Sequence, residues 1–347
     1  INDVARASWK RVSDAECLIK GLSLDSRKVL EGDLIFAVLG SSLDGSKFVA
    51  DAIAKGAAAI VLLRKEENFS LASNVSVPCA LVDDVSLAIS LISKHFYKHS
   101  SDELKSYAIT GTNGKTSVNW IISHLHSLIG EGVIQVGTLG MFSFPPGRPR
   151  SEFTKLDIGL TTPDSITFSK FVADSVDAGA SILVAEASSH GLSQRRLAGV
   201  NWDCAVFTNL SRDHFDYHKD FEDYADAKFS LFSSELASST KEEKVAVVNI
   251  NQDLGKRILE HASPSFSVFT CSPSGKQADL FLLAKETSLS ETKITASLLG
   301  QEVSLKTKLV GDYNVENVLL AVASMVATGY PISDIAHHLE NVPSVPG

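Results

Sequence analysis

Cysteine is scarce in this chain of 347 residues, and its four copies lie far apart at Cys17, Cys79, Cys204 and Cys271. Such spacing argues against a disulfide framework and against a zinc site built on cysteine pairs, and it suits a reducing compartment. Apolar runs of about 18 residues, as a membrane span requires, are also lacking. Charged side chains interrupt the first twenty residues, so no signal-peptide core is expected. We therefore predict a cytoplasmic protein without membrane insertion.

The chain also lacks an excess of basic residues: 32 Lys and Arg face 41 Asp and Glu, for a net charge of −9. This balance argues against nucleic acid as a partner, and an anionic substrate would need local cations. Hydrophobic residues make up 44% and charged residues 21%, as is typical of α/β proteins. A chain of this length forms two or three domains, each able to bury a core.

Hydrophobic patterns divide the sequence into two blocks. Residues 1–100 read as a small α/β domain, the polar segment 101–106 as a linker, and 107–347 as a second domain. In the second block, apolar strands alternate with helical stretches, which predicts a mostly parallel sheet covered by helices on both faces. Binding sites in such sheets cluster where strands end and helices begin. The fold class predicted from the sequence is therefore α/β.

The predicted elements of the second block can be stated individually. A helix is expected over 165–178 and a strongly apolar one over 314–328, while the Pro- and Gly-rich segment 142–150 is expected to be an irregular loop. Strands are expected over 134–137, 182–186, 204–208, 245–250 and 265–270, followed by an antiparallel patch over 279–284, 292–298 and 301–306.

The segment 111–117, Gly-Thr-Asn-Gly-Lys-Thr-Ser, joins a short apolar strand to a helical pattern. Its amides and the helix start can bind a polyphosphate, Lys115 can reach the β- and γ-phosphates, and the Thr116 hydroxyl can ligate Mg²⁺. The loop is a variant, because Ile109 stands where the general pattern has glycine. An ordinary strand–turn–helix remains the alternative. The predicted nucleotide-binding residues are Gly111, Thr112, Asn113, Gly114, Lys115, Thr116 and Ser117.

Two polar segments follow later strands. In the first, 186–196, Glu186 is placed to bind Mg²⁺ at a strand end, and Ser188, Gln194 and Arg196 could bind an anion; a solvated polar loop is the alternative. In the second, 208–218, His214 is either a metal ligand or a general base.

Three further residues have more than one explanation in the local pattern alone. Lys228 lies on a predicted helix, where a lone lysine is usually solvated. Thr161 and Thr162 precede Pro163, so one of them either caps a helix or donates its hydroxyl to a phosphate.

Together these segments resemble the Mur ligase family. The variant loop 111–116 is similar to that of the Mur ligases and of their folylpolyglutamate synthase relatives. The segments Thr-Thr-Pro-Asp at 161–164, Glu-Ala-Ser-Ser-His-Gly-Leu at 186–192 and Asn-Leu-Ser-Arg-Asp-His-Phe-Asp-Tyr-His at 209–218 resemble the branch that adds the third residue of the peptidoglycan stem peptide. In the first block, Asp-Ser-Arg at 25–27 and the stretch 32–37 resemble the family's UDP-binding domain.

The resemblance implies an ATP-dependent amide ligase that uses Mg²⁺ and an acyl phosphate, acting on a UDP-N-acetylmuramoyl dipeptide and an amino acid, as a monomer. Lys115, Glu186, His214 and Lys228 would be catalytic. Thr116 and Glu186 would bind one Mg²⁺, and His214 and Lys228, the latter carbamylated by CO₂, would serve a second metal position. Asn317, more than Asn314, matches the adenine side of the ATP site. The positions matching substrate contacts are Ser26, Thr161, Thr162, Ser188, Gln194 and Arg196.

The resemblance also implies a third, C-terminal domain that this chain does not include, since the sequence ends at 345–347, where the junction to it would begin. That domain holds the pocket for the incoming amino acid, so the residues of this chain do not identify it. Meso-diaminopimelate is favoured over L-lysine by family frequency alone. We expect this chain to bind the UDP-linked dipeptide without forming a tripeptide. Two alternatives remain: a folylpolyglutamate-synthase-like ligase, against which the first block argues, and a catalytically inactive binding or scaffold protein.

Overall fold

The computed structural model describes residues 8–10, 17–38, 44–98 and 102–346. They form two compact units. The first comprises the described residues up to 98 together with 164–170 and 194–198, and the second comprises the rest. Part of the predicted linker lies outside the described residues, and its last two positions belong to a strand that begins at Lys105.

The first unit is a small sheet with helices on both faces. Its strand order is β1-β5-β4-β3-β2 among the described residues; β2 to β5 run parallel and β1 pairs antiparallel with β5. Ile60 and Leu62 face one buried cluster while Val61 faces another, as the two-residue period of a strand requires. The elements are β1 (Ser8–Lys10), β2 (Gly21–Ser23), β3 (Asp33–Phe36), α1 (Val49–Ala54), β4 (Ala59–Leu63), α2 (Glu66–Asn74), β5 (Cys79–Val82) and α3 (Val85–Phe96).

The second unit is built on one long sheet. In the described part of the chain its order is β16-β15-β14-β13-β12-β11-β6-β10-β7-β8-β9, with a parallel centre from β14 to β7 and antiparallel pairs at both ends. The strands are β6 (Lys105–Thr110), β7 (Val133–Gly137), β8 (Gly140–Phe144), β9 (Thr154–Leu156), β10 (Ile182–Glu186), β11 (Cys204–Phe207), β12 (Val245–Asn249), β13 (Ser267–Ser272), β14 (Leu280–Thr287), β15 (Thr292–Leu298) and β16 (Gln301–Thr307).

Helices cover this sheet, and the predicted α/β class is confirmed. The first of the covering helices is α4, which starts at Lys115 after the left-handed Gly114 and stops before the left-handed Gly130. The helices of this unit are α4 (Lys115–Ile129), α6 (Ser189–Ser193), α7 (Phe221–Ser230), α8 (Asp253–Glu260), α9 (Asp312–Ala327) and α10 (Ile332–Leu339), whereas α5 (Ser165–Asp177) is divided, since its residues up to 170 belong to the first unit. Among the described residues, no helix combines the length and apolar character needed to cross a membrane.

The prediction of an irregular loop over 142–150 was wrong at its start. Strand β8 includes residues 142–144 and pairs antiparallel with β7. Phe144 buries its ring in the main core, which favours a strand at this position. The far end of the segment is anchored as well. The Arg150 guanidinium lies 3.6 Å from the Phe144 ring centre and donates to the Ser123 carbonyl at 2.7 Å and to Gln135 Oε1 at 2.9 Å. Proline and glycine thus mark only the turn between these two anchors.

Packing of α4 against the sheet should contribute strongly to stability. Leu125 is fully buried in the main core, whereas Leu128, on the same helix, is 37% exposed. We expect Leu125→Ala to lower the free energy of unfolding by about 2–5 kcal/mol, because it leaves a cavity. The matched change Leu128→Ala should cost less than about 1 kcal/mol. Urea titration of both variants tests this, and equal losses would contradict the packing described.

Candidate functional site

Neighbouring parallel strands place the polar segments at one edge of the central sheet. Strand β6 lies between β10 and β11, with Glu186 in register with Ile109 and Phe207 in register with Thr110. The loops that follow these strands therefore leave the sheet at the same level. Loops at the carboxyl ends of parallel strands are where α/β proteins bind ligands.

The loop between β6 and α4 has the backbone that a phosphate-binding turn requires. Gly114 adopts φ 84°, and a side chain there would collide with the Asn317 amide, so α9 lies directly against the loop. Asn317 is 5% exposed. Asn314 instead donates to the Val310 carbonyl at 2.8 Å. Of the two asparagines, only Asn317 is thus shown to contact the loop.

Asparagine and threonine side chains beyond β11 hold the tip of this loop. The Asn209 amide accepts from the Asn113 N–H at 2.9 Å and donates to the Asn113 carbonyl at 3.1 Å. Thr208 Oγ1 donates to the same carbonyl at 2.6 Å. The Thr112 hydroxyl lies 3.0 Å from the Tyr224 hydroxyl, which ties the loop to α7. The amides of the loop are therefore preorganised.

Two lysines share one backbone acceptor in this loop. Lys115 Nζ donates to the Gly111 carbonyl at 2.8 Å, and Lys228 Nζ donates to it at 2.9 Å. Lys228 is 1% exposed and its Nζ lies 4.3 Å from the centre of the Tyr224 ring. The local expectation of a solvated helix lysine is therefore wrong for Lys228.

Burial lowers the pKa of both lysines, and the Lys115 charge adds to the shift of Lys228. Burial, reinforced by the Lys115 charge, lowers the pKa of Lys228 to about 6, although Asp213 opposes the shift. Burial also lowers the pKa of Lys115, against the attraction of Glu186 and Asp213. Lys228 thus carries a largely neutral amine at neutral pH, and a neutral amine is a nucleophile.

Glu186 ends β10 as a buried carboxylate with three hydrogen-bond donors. Thr116 Oγ1 donates to its Oε2 at 3.1 Å, Thr138 Oγ1 donates to the same oxygen at 3.0 Å, and the Thr138 N–H donates to Oε1 at 3.0 Å. Burial raises the pKa of Glu186, while the bonds from Thr138 and the Lys115 charge act in the opposite direction. A carboxylate facing a hydroxyl on a phosphate loop is an oxygen donor set that fits Mg²⁺.

A metal ion at this site would depend on the oxygens of Thr116 and Glu186. In the part of the chain that the structure describes, no group of three or more His, Cys, Asp or Glu side chains could hold a metal ion. Mg²⁺ is commonly bound by one or two protein carboxylates, with phosphate oxygens and water completing the shell. Thr116 and Glu186 match that pattern.

His214 lies in the exposed turn after β11. Its backbone adopts φ 56°, its side chain is 43% exposed, and its ring centre lies 5.0 Å from that of His190. The buried His218 pairs with Asp223 at 3.0 Å, which fixes the far end of the turn. His214 is therefore accessible to a ligand, and the turn that carries it is anchored at its end.

Thr162 does not cap α5. The cap is Asp164, whose Oδ1 accepts from the N–H groups of Ile166 at 3.1 Å and Thr167 at 3.0 Å. The Thr162 hydroxyl instead donates to the Glu186 carbonyl at 2.7 Å and lies 3.0 Å from Ser188 Oγ. The helix-cap alternative for the threonine pair is thereby corrected.

Three of the predicted substrate residues belong to the first unit. Ser26 lines a cavity of about 600 Å³ together with Asp25, Phe36 and Lys55. Lys55 Nζ donates to the Ser26 carbonyl at 2.8 Å, so a cation borders this cavity. Elsewhere in the unit, Arg196 donates through Nε and Nη2 to Gln194 Oε1, at 3.1 and 2.7 Å.

Sequence reasoning missed two residues that the structure places at the site. Asn209 lay inside a motif but had no role, and Thr138 lay in none. One signal could have found both: each is within two residues of the carboxyl end of a predicted parallel strand, where ligand-binding loops begin. Their partners, Asn113 and Glu186, lie 96 and 48 positions away in the sequence, so the pairing itself could not be predicted.

Family models match both parts of the chain. The model of the Mur ligase middle domain matches residues 109–325, and the model of the Mur ligase family catalytic domain matches residues 18–97. The first covers more than half of the chain. The two matches together include the phosphate loop, Glu186, His214, Lys228 and Ser26.

Individual relatives agree with these models. A UDP-N-acetylmuramoyl-L-alanyl-D-glutamate–2,6-diaminopimelate ligase of Pseudomonas aeruginosa is 36% identical over 96% of this chain and 65% of its own length. UDP-N-acetylmuramyl-tripeptide synthetase 2 of Oceanobacillus iheyensis is 33% identical over 95% of the chain and 64% of its own. A solved 2,6-diaminopimelate ligase structure superposes with a TM-score of 0.78 at 27% identity, covering 95% of this chain and 64% of that one. The chain thus spans just under two thirds of these relatives.

The charge state of Lys228 can be tested directly. We expect its pKa to lie near 6, measured by NMR titration of lysine labelled with ¹³C at the ε carbon. Lys115→Met removes a neighbouring positive charge and should raise this pKa, because less repulsion then opposes protonation. The exposed control Lys293→Met should leave the Lys228 titration unchanged. A wild-type pKa above 9, or no response to Lys115→Met, would contradict the buried pair.

Proposed function

Since the chain belongs to the Mur ligase family, we propose that it binds ATP and the UDP-linked substrate in a ligase that adds the third amino acid to UDP-N-acetylmuramoyl-L-alanyl-D-glutamate, in peptidoglycan synthesis. The observation that carries the proposal is the convergence of Lys115 and Lys228 on the Gly111 carbonyl, beside Thr116 and the buried Glu186. A phosphate loop alone would support any nucleotide-binding protein. A lysine at the phosphates and a carboxylate that can hold Mg²⁺ are features of phosphoryl-transfer sites.

The proposed reaction has two steps. A carboxylate oxygen of the dipeptide attacks the γ-phosphorus of ATP, the bond between that phosphorus and the β,γ-bridging oxygen breaks, and ADP leaves. The incoming amine then attacks the acyl carbon, loses a proton and displaces inorganic phosphate. Phosphoryl transfer depends mainly on positioning and charge neutralisation. The loop amides of residues 111–117 hold the phosphates, and Lys115 neutralises the charge on the transferred group.

The site residues divide into two metal positions in this proposal. Bound Mg²⁺ supplies neutralisation of phosphate charge and alignment of the phosphate oxygens. Thr116, at the start of α4, and Glu186, at the end of β10, would hold one ion, since their oxygens lie 3.1 Å apart. His214 and Lys228 would serve the second position. Asn317, packed against Gly114, would contact the nucleotide.

Carbamylation of Lys228 belongs to the same proposal. A carbamate forms when a neutral amine adds to CO₂ and releases a proton, so the amine must not be held as an ammonium. Burial beside Lys115 meets that condition and supports the assignment. The carbamate would give Lys228 two oxygens and a negative charge, which replaces lysine's role as a cation with that of a metal ligand.

The substrates follow from the same residues. We propose that Ser26 and its cavity hold the UDP group, and that Thr161, Thr162, Ser188, Gln194 and Arg196 contact the muramoyl dipeptide. We propose 2,6-diaminopimelate as the incoming amino acid, supported by the name of the Pseudomonas relative.

The division into domains 1–100 and 107–347, joined by 101–106, is part of the proposal. So are the monomeric state and the cytoplasmic location; the free cysteines are consistent with the location.

Loss of the Lys115 ammonium should stop phosphoryl transfer. In the full-length protein, Lys115→Ala should lower the rate of ADP release by about 100-fold or more, because it removes a cation that neutralises the transferred group. Binding of the UDP-linked dipeptide, measured by calorimetry, should remain close to wild type. Lys293→Ala, at an exposed position of β15, serves as the control. Retention of more than about a tenth of the wild-type rate would reject a catalytic role for Lys115.

Carbamylation makes a separate prediction. Lys228→Ala should lower ADP release by about 100-fold, and added bicarbonate should not restore it, because the amine that would be modified is gone. Formate or acetate should restore part of the activity by placing carboxylate oxygens in the vacated space. Full activity of Lys228→Ala, or no carboxylate rescue together with an unmodified lysine in a structure of the active wild type, would reject the carbamate.

A further inference from the structure

Thr138 is the first residue after β7, and the function proposed above gives it no role. Its side chain is exposed, so a ligand at this edge of the sheet can reach it. Both of its polar groups nevertheless bond to one carboxylate: the N–H donates to Glu186 Oε1 at 3.0 Å and the hydroxyl donates to Glu186 Oε2 at 3.0 Å. The close approach is built into the strand end, because a side chain at Gly137 would collide with the Glu186 carboxylate.

Thr138 also has a second hydroxyl neighbour. Its Oγ1 lies 3.2 Å from the Oγ1 of Thr161, a residue of the substrate set. A hydroxyl has one proton to donate. Since the Thr138 proton is directed at Glu186, the Thr161 hydroxyl must be the donor in the second bond. The hydrogen bonds therefore run in one direction, from Thr161 through Thr138 to Glu186.

We propose that Thr138 is a positioning residue that couples binding of the UDP-linked substrate at Thr161 to binding of the divalent metal and nucleotide at Glu186. The inference rests on the proposed function, which supplies the two ligands. Thr138 itself ligates neither the metal nor the nucleotide. Its hydroxyl orients Glu186 Oε2, the oxygen that also accepts from Thr116.

The coupling has a physical cause in water exclusion. Without ligands, water competes with the two hydrogen bonds that these hydroxyls form, because Thr138 is exposed and Thr161 is partly exposed. A substrate covering Thr161 removes that water, and hydrogen bonds strengthen when the local dielectric falls and when they are linked in a chain. The Glu186 carboxylate is then held more firmly in one orientation. Outer-shell bonds of this kind typically change metal affinity by about 10- to 100-fold.

Substitutions at position 138 can separate the hydroxyl from the rest of the residue. Thr138→Val keeps the branched shape and the backbone N–H bond to Glu186 but removes the hydroxyl. Thr138→Ser keeps the hydroxyl and is the rescue variant. Thr154→Val, on the exposed strand β9, is the matched control for the same chemical change elsewhere on the surface.

The experiment measures binding of Mn²⁺ with a non-hydrolysable ATP analogue by calorimetry, with and without saturating UDP-N-acetylmuramoyl-L-alanyl-D-glutamate. In the wild type and in Thr154→Val, the substrate should tighten binding by at least about fivefold. Thr138→Val should bind Mn²⁺ and the analogue about tenfold more weakly, and the substrate should no longer tighten that binding. Thr138→Ser should restore both properties. Affinity for the UDP-linked substrate alone should change less than twofold in all variants, about 0.4 kcal/mol.

The outcomes distinguish this inference from the proposed function. If the wild type binds both ligands and Thr138→Val retains the wild-type affinity and coupling, Thr138 has no positioning role and the inference is overturned. Loss of coupling in Thr138→Ser as well would also overturn it, since the hydroxyl is then not the cause. If the wild type binds neither the Mn²⁺ analogue complex nor the UDP-linked substrate, the proposed function fails and the inference fails with it.

Discussion

The parallel alignment of β7, β10, β6 and β11 is the constraint on which the site depends. Because these strands run in the same direction and in register, their carboxyl ends meet at one edge. Glu186 at the end of β10, Thr138 after β7, Asn209 after β11 and the phosphate loop after β6 are brought together by that alignment. A one-residue slip in β10 would turn Glu186 to the opposite face of the sheet, away from Thr116.

Two ionisable side chains of the site, Lys228 and Glu186, are buried, and each is accommodated in a different way. Lys228 is nearly inaccessible to water, and burial together with the Lys115 charge lowers its pKa to about 6, so its amine is largely neutral. Glu186 retains three donors, which compensate for the water that it loses. Groups whose pKa values are displaced by burial and by a specific charge are common at functional sites. In this protein the displaced groups lie beside the loop at residues 111–117.

Rigid supports surround the loops that carry chemistry. Asn209 clamps the backbone of Asn113 on both sides, and Tyr224 links Thr112 to the helix that carries Lys228. Preorganised donors stabilise a transition state without being rearranged during the reaction. The side chains of the site are spread over about 200 positions of sequence, from the loop at 111–117 to Asn317 in α9, because they lie at the ends of different elements.

The sequence by itself determined the α/β class, most strand positions and the phosphate loop, because these follow from local patterns: apolar periodicity, the glycine at 114 and the lysine and threonine at a helix start. Glu186 and His214 were candidates from their positions after predicted strands, and family resemblance added a role for Lys228. Only the tertiary structure decided that Lys228 is buried, that Thr138 holds Glu186, that Asp164 rather than Thr162 caps α5, and that residues 142–144 form a strand. The Lys228 bond to Gly111 spans 117 positions. Burial and long-range pairing depend on which strands become neighbours, and no local pattern encodes that choice.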